Sequence, residues 1–154
     1  MKLEDLKSRM AKCKLEIKQA IDSDIPKKVA RKVVSMTKQN FQEEGFYGKP
    51  WKEVQRRQPP MKGRRRYRGA DTQRKILTGR TGDLGRSIRS EVGTATVTIY
   101  SDLPYSAAHN EGTNNAGRGH RTRIPKRQFL GEHPKVHQEV KKIIETEISK
   151  ILKR

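Results

Sequence analysis

Acidic residues are scarce in this chain. It carries 17 Asp+Glu against 36 Lys+Arg over 154 residues, a formal charge of +19. Self-repulsion at that charge works against a compact monomer and predicts affinity for something anionic, whether nucleic acid, an acidic protein surface or a membrane face. Apolar residues are few as well, at 31% with a mean hydropathy of −1.00, so the expected core is thin for the length. No apolar run approaches the ~20 residues of a spanning helix, which sets the membrane aside as a partner. The only cysteine is Cys13. It excludes an internal disulfide and fits a protein made in a reducing cytosol. Met1-Lys2-Leu3-Glu4-Asp5 lacks the apolar stretch of a signal peptide, so no export is expected.

The remaining residues are patterned. Leu3, Leu6, Met10, Cys13, Ile17 and Ala20-Ile21 recur at spacings of three and four, one narrow apolar stripe on a helix. Its narrowness suits helix-to-helix packing, within the chain or with a neighbour. Ser23-Asp24-Ile25-Pro26 interrupts the stripe. A second helix follows to about Phe41, with Val29, Val33, Met36 and Phe41 inward and Ala30, Val34 and Thr37 beside them. The two form either a hairpin or one long kinked helix, and Gly45 is the expected stop. From Phe46 to Thr72 prolines and glycines break any regular element. Periodicity returns at Ile76-Leu77. Thr81 is a candidate cap for a turn carrying Leu84 and Ile88. Ile88–Val92 and Thr96–Tyr100 read as strands, with Val97 and Ile99 on one face. Tyr105–Glu111 reads as a short helix ending at Gly112, Thr113–Arg123 as a second basic loop, and Pro134 as the start of a last helix bearing Val136, Val140, Ile143-Ile144, Ile148 and Ile151-Leu152. The expected fold is therefore α+β: N-terminal helices and a C-terminal helix packed on a small, mostly antiparallel sheet, with long basic loops. The length suits one domain over 1–154. It would be helical over 1–45, a basic loop over 46–75, sheet and short helix over 76–131, and the C-terminal helix over 132–154.

Sites for chemistry are hard to find. Gly79, Gly82 and Gly85 before Arg86-Ser87 glance at a phosphate loop, but the first required glycine is Arg80 and the required lysine is Arg86. His133 and His137 lie four apart, yet Pro134 stands between them and no third metal ligand is near, so solvated histidines at a helix start are expected. His109 and Glu111 have no nucleophile beside them; His109 is expected to pack beside Tyr105 with its polar edge bonded to backbone. Grouped carboxylates of the kind a metal-dependent nuclease needs are missing. The reading is a non-enzymatic protein with no cofactor and no metal. The sharper feature is a run of seven basic residues without an acid: Arg56, Arg57, Lys62, Arg64, Arg65, Arg66 and Arg68. Arginine clusters of this kind grip phosphate or carboxylate. Arg118, Arg121 and Arg123 form a second basic stretch.

Several short phrases, far apart, fall in one order. They are Asn40-Phe41 to Glu44-Gly45; Gly48-Lys49-Pro50-Trp51; Ile76-Leu77-Thr78-Gly79 with Thr81-Gly82-Asp83-Leu84 and Ser87-Ile88; Tyr105-Ser106-Ala107-Ala108-His109-Asn110-Glu111-Gly112; and Ile124-Pro125-Lys126-Arg127-Gln128-Phe129-Leu130-Gly131. In this order they resemble the phage virion morphogenesis family, the tail-completion or tail-terminator neck proteins of Mu-like tailed phages. The sequence departs from the family at Gln128, where proline is more frequent, at Ser106, where alanine is usual, and in the length and charge of Gln55–Thr72. The resemblance implies a structural virion protein at the neck or tail end, assembled in the host cytoplasm. It implies a homo-oligomeric ring, a hexamer, that meets the head connector, neck proteins and tail tube protein, with non-specific contact to passing DNA. It transfers no catalytic residue. Phe41, Trp51, Leu84, Tyr105 and Phe129 are expected to be structural anchors, and the ten basic residues above to face DNA or neighbouring subunits. A basic RNA-binding or ribosomal-type protein is the alternative. Against it, the charge clusters in loops and no RNA-binding module signature is present.

Overall fold

Pro26 stands where the first apolar stripe gives way to the second, and the chain passes it without breaking. In the computed structural model, which describes residues 3–59 and 69–153, helix α1 (Leu3–Gln19), a π-helical stretch (Ala20–Asp24) and helix α2 (Ile25–Glu43) follow one another with no intervening turn. Gln19 and Ile25, on either side of the stretch, both keep helical backbone angles, and the Ile25 amide bonds to the Ala20 carbonyl five residues back. Of the two expected arrangements, continuous helix replaces the hairpin. Proline has no N–H for the carbonyl four residues before it, here that of Asp22. The Ala95 amide donates to that carbonyl at 3.4 Å.

The described residues divide into two compact units. The first takes residues 3–34, 90–99 and 132–153. Helix α6 (Pro134–Leu152) begins as its sequence suggests. Pro134 occupies the first turn, and the N-cap His133 accepts the Lys135 amide on its ring at 3.2 Å. α1 packs on α6. Lys32 of α2 pairs with Glu139 of α6 at 3.0 Å, and Lys28 with Glu147. The α1 stripe sinks along its length: Ala20 is buried, Cys13 and Ile17 are half-buried, and Leu3 and Met10 remain 67% and 64% exposed. α1 and α6 each lack a fully buried residue, so this unit is as thin-cored as the composition requires. Strands β3 (Ile88–Gly93) and β4 (Thr96–Ser101) form the expected hairpin, and Val97 and Ile99 share its half-buried face.

The second unit takes residues 35–59, 69–89 and 100–131. Here α2 ends its run with Thr37, Asn40 and Phe41 buried. Met36, expected inward, is half-buried, and Thr37 beside it is buried; in the part of α2 that belongs to the first unit Val29 and Val33 are likewise half-buried and Ala30 buried. β1 (Gly45–Phe46) pairs antiparallel with β2 (Lys49–Pro50). A 3-10 turn (Gln55–Arg57), α3 (Ala70–Gln73), α4 (Asp83–Arg86) and α5 (Ser106–Glu111) complete the unit with β5 (Thr113–Ala116) and β6 (Thr122–Ile124). The α+β class holds. Among the described residues the strands form three two-stranded sheets, each closed by its own turn, rather than one. Three local expectations are corrected. Phe46–Thr72 is not without regular elements, since β2, the 3-10 turn and the start of α3 fall among its described residues. Thr113–Arg123 is not a plain loop, because β5 and β6 pair antiparallel with an irregular register. Thr81 does not cap α4; Gly82, in the left-handed region, does, and the Thr81 hydroxyl donates to the Asp83 carboxylate.

Candidate functional site

The separate phrases meet in the second unit. Phe41 from the end of α2 stacks edge-on to Trp51 at 5.6 Å and against Phe129 at 5.0 Å. Trp51 is 8% exposed and Phe129 1%, with Leu84 also buried. Phe41 is buried with them, at 5% exposed. Tyr105 differs. It is exposed at the start of α5, with its ring edge-on to His109 at 5.9 Å.

Polar side chains hold this aromatic cluster by gripping main chain. The buried Asn40 donates to the Phe129 carbonyl at 3.1 Å and accepts the Tyr47 amide at 3.0 Å. Trp51 Nε1 donates to the Gln128 carbonyl at 2.6 Å. Asn110 Oδ1 accepts both the Phe129 and Leu130 amides at 3.0 Å. Buried main-chain groups without partners cost about 1–3 kcal/mol each, so these side chains fix the irregular 125–131 segment where no strand could. Gly112 allows the same closeness. Its φ is +76, and a Cβ there would stand 2.6 Å from the Lys126 amide nitrogen.

Glu44 forms the second knot. Its carboxylate takes both Arg57 guanidinium nitrogens, at 2.7 and 3.0 Å, and also the Ile76 amide. The Arg57 hydrogen bonds hold its pKa below the ordinary carboxylate value, against the opposing effect of burial. Arg57 also donates to the Arg74 carbonyl at 2.8 Å. Arg56 donates to the Arg74 and Lys75 carbonyls at 2.6 and 2.8 Å. These two members of the basic run are thus tied into the fold. Lys62, Arg64, Arg65, Arg66 and Arg68 lie outside the described residues. Arg118, Arg121 and Arg123 are exposed on and between β5 and β6.

Beside this knot lies a recess of about 270 Å³. Arg56, His109 and Arg127 line it together with Val54, Leu77, Leu84 and Tyr105. Arg127 is 8% exposed. Its Nε donates to the Lys52 carbonyl at 3.0 Å, and its backbone amide to the His109 carbonyl at 2.9 Å. Burial, then the neighbouring Arg56 charge, lowers the Arg127 pKa; burial, then Arg127, lowers that of His109. His109 packs beside Tyr105 as expected, but its Nδ1 is buried and has no hydrogen-bond partner among the described residues, contrary to expectation.

Asn40, Glu44, Asn110 and Arg127 stand inside the phrases, where no spacing assigns them a role. Their signal is a polar residue beside an aromatic in a phrase that otherwise reads as a turn. A search of curated proteins and a search of solved structures each return no match. A family model does match, over residues 2–149, and so spans all the phrases that meet around Phe129. The chain belongs to the phage virion morphogenesis family.

Proposed function

We propose that this chain is a structural protein of a tailed-phage virion. Copies form a homo-oligomeric ring at the neck that completes the tail and joins it to the head connector. The observation that carries this reading is the use of the phrase residues. Asn40, Glu44, Trp51, Asn110 and Arg127 all bond to main chain of their own fold. They build a scaffold rather than present reactive groups, so function lies in surfaces and contacts. Two further features support assembly. The outer half of the α1 stripe is exposed, as in a subunit whose apolar surface is completed by neighbours. The +19 charge suits a protein placed among anionic neighbours, DNA or acidic subunits. In this reading Arg118, Arg121 and Arg123 face adjoining subunits. Arg64, Arg65 and Arg66 give sequence-independent contact with passing DNA.

The experiment is a phage lacking this gene product, followed by reconstruction of the wild-type neck. Heads and tails that form but stay unjoined, or tails of faulty length, are expected, with several symmetry-related copies per particle. Normal joined particles without the protein, or one copy per neck, would sink the proposal.

A further inference from the structure

We propose that the recess between Arg56, His109 and Arg127 is a socket for a carboxylate side chain presented by another protein chain. This rests on the assembly reading above for where the carboxylate comes from, and on the recess alone for its chemistry.

Arg127 is nine-tenths buried and Arg56 half-buried. Among the described residues neither has a carboxylate within ion-pair distance, and their bonded partners are neutral main-chain carbonyls. A buried guanidinium without a counter-charge is costly, and native folds supply a partner anion. Here the Arg56 charge further disfavours that of the buried Arg127. Arg56 Nε also lacks a hydrogen-bond partner among the described residues. Of the chain's own carboxylates, Glu53 favours the charge of both Arg56 and Arg127 from a distance, but it is half-exposed and pairs with Arg57 at 3.6 Å. Glu44 is held by Arg57 and the Ile76 amide. Asp83, which does line the recess, is held by Arg86 at 2.7 Å and by Thr81. Residues 60–68 contain no acid at all. Among the described residues no carboxylate closes an ion pair with either guanidinium, so the recess is open to one presented from outside.

The remaining walls decide what kind of anion. Val54, Leu77, Leu84 and the Tyr105 ring are apolar. They suit the methylene stem of a glutamate or aspartate reaching in from a folded surface. A duplex phosphate carries its sugars on both sides and belongs on an open basic face rather than in a recess of about 270 Å³. Asp83 at the wall also disfavours a dianion more than a single carboxylate. Forked pairing of guanidinium with carboxylate then fixes the orientation of the incoming chain.

The test follows the NMR signals of the His109 imidazole and the Arg127 side chain in the full chain at constant pH. Three probes are added separately: N-acetyl-glutamate amide, inorganic phosphate and a short random-sequence DNA duplex. The expected result is a saturable shift of both signals with the blocked glutamate. Arg56→Gln should weaken that binding by at least about tenfold, while Arg118→Gln on the exposed hairpin leaves it unchanged. If Arg56→Gln does not fold, Arg56→Lys keeps the charge, loses the fork and should still bind more weakly. No saturation overturns the proposal, as does equal binding by the Arg56 and Arg118 variants. Tighter binding of phosphate or duplex than of the blocked glutamate overturns it too. None of these failures touches the virion reading, which rests on particle composition.

Discussion

Arg57 holds Glu44 with both ends of its guanidinium, at 2.7 and 3.0 Å. Glu44 is the residue after the last turn of α2, in the left-handed region at φ +54. The pair therefore locks a helix end to the 3-10 turn that carries Arg57 and, through the Ile76 amide, to the start of the next phrase.

Glu44→Gln is expected to destabilise the protein by about 1–3 kcal/mol at neutral pH, since it leaves a part-buried guanidinium half-paired. The sign with pH follows from the lowered carboxylate pKa. The stabilisation is complete above the ordinary value of 4.5 and fades as pH falls through the lower folded-state value. Denaturant unfolding of both proteins at neutral and acid pH checks it: the gap between them should close in acid. A gap of the same size at both pH values contradicts the assignment.

Asn110→Ala removes the acceptor for two amides at once, so a loss of about 2–4 kcal/mol is expected. Asn110→Asp keeps the accepting oxygen and should lose less, although it sets a second carboxylate where Asn110 now donates to Glu111 at 2.6 Å. Thermal unfolding distinguishes them, and equal losses would show that packing rather than hydrogen bonding matters there.

Gly112→Ala places a Cβ against the Lys126 main chain in a backbone region unfavourable to alanine. A cost of about 3 kcal/mol or failure to fold is expected. Gly119→Ala, in the β5–β6 turn with nothing within 4 Å of an added Cβ, should be close to neutral. Expression and melting temperature of the two variants make the comparison.

Changing Arg64, Arg65 and Arg66 together to Ser should reduce DNA-filled particles. It should also flatten the salt dependence of duplex binding, by about 0.9 in log–log slope for each phosphate no longer neutralised. Unchanged assembly, DNA retention and infectivity would leave the run as a solvated segment.

The helices and the β3–β4 hairpin were legible because each repeats an apolar residue at a fixed spacing, as Val136 to Ile151 does in α6 and Val97 with Ile99 in β4. The β5–β6 hairpin was not. Thr113-Asn114-Asn115-Ala116 has no alternating apolar face, and its pairing rests on main chain and on the small side chain at Gly112. The aromatic anchors could be read from large rings beside turn residues. The grip of Asn40 on Phe129 could not, because one polar contact across 89 positions has no period. The same holds for Arg127. Its burial comes from the recess that the other phrases build, and nothing adjacent in sequence announces it.

The π-helical stretch marks where this chain tolerates a change of length. Its five residues Ala20–Asp24 take hydrogen bonds one position longer than an α-helix does. Losing one residue there lets the stretch tighten into ordinary α-helix, with the flanking turns keeping their facing. Losing one in the middle of α1 turns everything before it by about 100° and carries Leu3, Leu6 and Met10 off their line with Ile17 and Ala20. A shortened homologue that still assembles is expected to have its gap between Ala20 and Asp24.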